Sequence, residues 1–107
     1  MSDDYQIVKV GIVGEPIILK LEKMDNESVK IEIAIVGVKD GEINLKAGQD
    51  LMSITCDTTS AYCDPFSISM TDGGLNYSAV LASKDAGILE VVIPKKVSLN
   101  TNINITL

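Results

Sequence analysis

Two cysteines, Cys56 and Cys63, carry most of the reactive chemistry in this 107-residue chain, which contains no histidine, arginine or tryptophan. Six residues lie between them, Asp57-Thr58-Thr59-Ser60-Ala61-Tyr62. An even count, close spacing and a polar intervening stretch predict a loop-closing disulfide. A ring of about eight residues would contribute on the order of 2.5 kcal/mol by restricting the unfolded chain. The other open reading is a pair of free thiols in a reducing compartment. Zinc is not expected, because two thiols without a histidine leave a tetrahedral site short of ligands. The spacing is not that of a Cys-x-x-Cys redox motif, and no cation sits nearby to lower a thiol pKa.

The remaining side chains offer less. Nucleophilic attack by serine, threonine or cysteine needs a neighbouring base. Without histidine only Ser–Lys or carboxylate arrangements remain, and no local signature marks either. A carboxylate pair for glycoside cleavage would have to come from acidic residues that fall mostly in turns or on outward faces. Neither an enzyme nor a cofactor is expected. Lys9-Val10-Gly11-Ile12-Val13-Gly14 has the glycines of a dinucleotide-binding turn, but that chemistry requires a helix N-terminus to hold the pyrophosphate. Here Glu15 and Pro16 follow, and then another alternating run, so the glycines are read as a strand bend.

Asp25, Asn26, Glu27, Asp57, Asp64 and Asp72 recur in loops, yet no Asp-x-Asp-x-Asp spacing gathers the roughly six to eight oxygens calcium needs. Acidic turn chemistry accounts for them better. Asn26-Glu27-Ser28, Asn76-Tyr77-Ser78 and Asn104-Ile105-Thr106 match the glycosylation pattern, with only Asn26 in an expected turn. Chance matches are the default reading of all three.

Fifteen acidic residues against nine lysines give a net charge of −6. With no arginine fork for phosphates or guanine edges, a nucleic-acid partner is not expected. Anionic membrane surfaces are disfavoured for the same reason. No run of about 20 apolar residues is long enough to span a bilayer, so membrane insertion is not expected. Met1-Ser2-Asp3-Asp4 shows neither the basic nor the apolar region of a signal peptide.

The elements that must position these residues are strands. Apolar and polar residues alternate through Ile17, Leu19 and Leu21, through Val29, Ile31, Ile33 and Ile35, through Phe66, Ile68 and Met70, and through Ile103, Ile105 and Leu107. A period of two is the repeat of a strand with one buried face. Strands are predicted over residues 5–13, 17–23, 29–38, 42–45, 51–55, 66–70, 75–82, 88–93 and 101–107. The turn signals between them include Asp40-Gly41, read as a tight hairpin, and Asp72-Gly73-Gly74. No window carries a helical stripe. Residues 1–107 are expected to form one all-β domain, an immunoglobulin-like β-sandwich of about 7–9 antiparallel strands. Ile31, Ile33, Ile35, Phe66, Ile68, Ile103 and Ile105 are its expected core.

From Ser28 onward the order of features resembles a bacterial immunoglobulin-like domain of the invasin and intimin type. Ala47-Gly48-Gln49-Asp50 is similar to that family's glycine-containing strand start. Thr71-Asp72-Gly73-Gly74, Tyr77-Ser78-Ala79-Val80-Leu81, Ser83 and Ala86-Gly87 resemble its later run. The resemblance spans roughly residues 28–93 and implies a stacking or binding module without an active site. It leads to the expectation of a non-catalytic structural or adhesive module, extracellular or at the cell surface, whose partner is another protein or copies of itself.

Two alternatives stand beside that reading. One is a self-assembling subunit of a virion, pilus or other filament; the other is a glycan-binding sandwich, disfavoured by the few aromatic residues. For the first, Asn102, Ile103, Asn104, Ile105, Thr106 and Leu107 are the candidate inter-subunit strand, since an alternating terminal strand can complete a neighbour's sheet.

Overall fold

The structure, a computed structural model, describes residues 10–71 and 74–97. Alternation becomes eight strands: β1 (Val10–Gly14), β2 (Ile17–Lys23), β3 (Val29–Ala34), β4 (Ile43–Ala47), β5 (Met52–Cys56), β6 (Phe66–Met70), β7 (Leu81–Asp85) and β8 (Ile88–Ile93). They form two antiparallel four-stranded sheets, ordered β1-β6-β5-β4 and β2-β3-β8-β7. The predicted β-sandwich is the fold.

The inner strands alternate as a half-buried strand must. In β3, Val29, Ile31 and Ile33 are buried while Lys30 and Glu32 face outward. Met52 and Ile54 of β5, Phe66, Ile68 and Met70 of β6, and Leu89, Val91 and Ile93 of β8 complete the core with Ile35 and Tyr77. Each such side chain contributes about 1.5–3 kcal/mol on leaving water. On the outer face Lys30 bridges Glu32 at 3.3 Å and Glu90 at 3.1 Å, offsetting the repulsion of two glutamates that stand directly opposite in the β3–β8 register.

Four local expectations fail, each for a physical reason. The β2 register slips between Ile18 and Lys20, so Leu19 is an extra residue in a bulge. The slip reverses the alternation. Ile18 and Leu21 oppose buried Ile33 and Ile31, while Ile17 and Leu19 stay 55% and 51% exposed rather than joining Leu21 inside. The third strand stops at Ala34, short of residue 38, because Gly37 takes a left-handed φ of 79° and the chain turns.

Asp40-Gly41 makes no hairpin. It lies in a 3-10 turn, Asp40–Glu42, that carries the chain from one sheet to the other. Residues 75–82 do not make one strand. Leu75 forms a bridge with Lys95, Tyr77–Ala79 is a 3-10 turn that buries Tyr77, and β7 begins only at Leu81. Residues 5–9 of the first expected strand, Asp72-Gly73, Ile103 and Ile105, and the candidate terminal strand 102–107 lie outside the described residues.

Candidate functional site

The loop joining β5 to β6 gathers both cysteines with a connected cluster of polar side chains. Its outward end is built from short side chains that bond their own turn. The Ser60 amide donates to Thr58 Oγ1 at 3.0 Å, and the Tyr62 amide donates to Ser60 Oγ at 3.1 Å. These side chains also reach outward. Buried Thr58 donates its hydroxyl to Glu42 Oε1 at 2.9 Å, and Ser60 donates to the Val36 carbonyl at 2.7 Å. The Asp57 amide donates to the Glu42 carbonyl at 2.8 Å. The Lys39 amide, first, and the Thr58 hydroxyl, second, hold the Glu42 carboxyl below its ordinary pKa by donating to its charged form.

Cys56 ends β5 and Cys63 closes the loop; both are buried free thiols. The bond expected from their spacing is not formed in this structure. Burial, and then the charge and hydrogen bonding of Cys63, push the Cys56 thiol up to about 11. Cys63 Sγ also approaches the carbonyl of Asp64 at 3.6 Å.

Beside this loop a cleft of about 250 Å³ opens between the end of β3 and the β7–β8 turn, lined by Ile35, Val38, Lys84 and Gly87 among others. In the β7–β8 register, Ala82 and Lys84 lie opposite buried Val91 and Leu89, so both occupy the inward phase. Lys84 stands where a core residue would otherwise sit and pairs with Asp40. An inward-phase charge on an edge strand discourages further strand addition. The edge strands β1 and β2, one in each sheet, expose Ile12, Val13, Ile17 and Leu19. Apolar surface therefore lies along β1 and β2, each of which has one ladder partner among the described residues.

Other sequence candidates resolve into local structure. Gly14 has a φ of 86°, and a Cβ there would lie 2.5 Å from the Pro65 carbonyl, so it serves a close approach between strands. The Asn26 side chain accepts from the Ser28 amide at 3.0 Å, and Asn76 accepts from the Ser78 hydroxyl at 2.6 Å; both are turn bonds. Among the described residues no three His, Cys, Asp or Glu side chains gather as metal ligands. Nor is any helix there long and apolar enough to cross a membrane. Sequence reading missed Lys84, Asp40, Thr58 and Ser60. Their roles depend on contacts between residues 16 to 44 positions apart, for which no local pattern exists.

No protein-family model and no curated protein sequence matches the chain. Its fold does match solved structures. A small heat-shock protein from Xylella fastidiosa, whose structure is described as having a distinct high order, superposes with a TM-score of 0.65 at 17% identity, over 88% of this chain and 96% of that one. Heat shock protein 16.0 from Schizosaccharomyces pombe gives 0.60 at 16% identity, over 86% and 74%. A C-terminally truncated form of small heat shock protein AgsA from Salmonella typhimurium gives 0.60 at 16%, over 88% and 99%.

These neighbours correct the sequence reading on origin and role. The chain shares its fold with small heat-shock proteins, so the invasin and intimin resemblance does not hold. Its supporting residues were turn formers and core positions, which any sandwich of this kind requires. The adhesive module, the virion, pilus or filament subunit, the glycan-binding sandwich and the extracellular or cell-surface placement fall with it.

Proposed function

We propose that the chain is the sandwich domain of a small heat-shock-type chaperone, cytoplasmic, which holds non-native polypeptide without catalysis and works as an assembly of its own copies. The observation that carries this reading is the near end-to-end superposition on the Xylella fastidiosa protein, 88% of one chain on 96% of the other. Exposed apolar residues along β1 and β2, and on the outward phase of β7 at Leu81, fit it. Extended segments of a client can add to such edges by main-chain hydrogen bonds while their apolar side chains cover exposed ones. Reversible holding needs only shape and apolar surface. Residues 102–107 enter this proposal as a candidate inter-subunit strand.

The test is light scattering from a heat-labile client with the protein added in increasing ratio, alongside native mass measurement. Suppressed scattering by an oligomer supports the proposal. Unchanged client aggregation at several-fold excess, with the protein monomeric throughout, overturns it.

A further inference from the structure

We propose that Cys56 and Cys63 form a dithiol–disulfide modification site whose oxidation is gated by opening of the 57–62 loop and, once complete, staples β5 to the start of β6. This inference does not rest on the chaperone reading. Three observations carry it. The two cysteines close a single loop, one ending β5 and the other three residues before β6. Both thiols are buried, 2% and 7% exposed, and Cys63 is among the groups that raise the Cys56 pKa. The loop between them is latched at two points, Thr58 to Glu42 and Ser60 to Val36, and both latches oppose the opening that would expose the buried sulfurs.

The natural oxidant class is a small disulfide such as glutathione disulfide. On loop opening, the Cys63 thiolate, the more exposed of the pair, attacks one sulfur of the oxidant and expels one thiolate. The Cys56 thiolate then attacks the Cys63 sulfur of the mixed disulfide, forming the protein S–S bond and expelling the second thiolate. Two cysteine thiols are oxidised, one oxidant disulfide is reduced, and the two thiol protons end on the two released thiols. With the loop closed, burial keeps Cys56 protonated and therefore a poor nucleophile.

The full-length reduced protein would be treated with glutathione disulfide, quenched with acid and mapped by mass. The expected product is a monomer two hydrogens lighter, with residues 56 and 63 linked. Its formation should be slow in buffer and several-fold faster in sub-denaturing urea, in Ser60→Ala and in Thr58→Ala. The urea arm needs no variant, so misfolding of either substitution leaves the test intact. The oxidised protein should also unfold at higher denaturant than the reduced form, a difference that vanishes in Cys63→Ser. Stable glutathione adducts on both cysteines, disulfide-linked dimers, or a rate indifferent to urea and to both latch variants would overturn the proposal.

Discussion

Ser60 donates its hydroxyl to the main-chain oxygen of Val36 at 2.7 Å, and this one bond ties the β5–β6 loop to the segment that follows β3 in the opposite sheet. The approach is close because residue 37 is glycine. A Cβ on Gly37 would sit 2.5 Å from Ser60 Oγ, and its φ of 79° is one that a side chain strains to adopt.

Gly37→Ala should therefore destabilise the fold by about 1–3 kcal/mol, from collision and backbone strain together. Adding Ser60→Ala removes the collision and leaves the strain, so the double variant should be more stable than the Gly37→Ala single. Urea unfolding of the three proteins measures this. A double variant no better than the single would show that the contact contributes nothing.

The β2 bulge separates two leucines that sequence alternation places together. Leu21→Ala should cost about 2–4 kcal/mol as a buried site, and Ile33→Ala about 2–5 kcal/mol. Leu19→Ser should stay within about 0.5 kcal/mol, because Leu19 lies half in solvent. Equal losses at 19 and 21 would contradict the register shift.

Acid should weaken the latch at Glu42. Its folded pKa is lowered by the Lys39 amide first and the Thr58 hydroxyl second, from an ordinary value of 4.5. A carboxylate depressed on folding contributes stability above its unfolded pKa and loses it as pH falls through the lower folded value. Asp40, lowered by Lys84, and Glu27, lowered by Lys95, act in the same direction. Thermal unfolding of Glu42→Gln should be less sensitive than wild type to acidification below about pH 4.5, the unfolded carboxylate range.

Alkali should act through Cys56. Its pKa rises on folding from 9.0 to about 11, chiefly by burial. Between those values the unfolded chain has lost the proton and the folded chain keeps it, so stability falls as pH rises, by up to about 3 kcal/mol. Cys56→Ala should flatten that limb of a stability–pH curve measured with reductant present. An unchanged slope would place its origin elsewhere.

Much of the architecture could be read from alternation, because β3, β5, β6 and β8 are inner strands whose single buried face imposes a period of two. The bounds of β2, β6 and β8 were legible to the residue, since glycine, proline or acidic turns flank them. Alternation did not reveal the bulge at Leu19, which is visible only against the partner strand. Alternation places Tyr77 in a strand, although the chain leaves the ladder there to fill the core from a 3-10 turn. At the candidate site, the cysteine spacing located the loop. The latches at Glu42 and Val36 join positions with no sequence relation, so only the fold could bring them together.

The single inserted residue in β2 also bears on how relatives of this chain should be compared. Ahead of residue 19 the strand's even positions face inward; after it the odd positions do. A relative without the bulge would align with a one-residue gap at that point. Aligned without the gap, its buried positions would fall on exposed Ile17 and Leu19, and a preserved core would be scored as divergence.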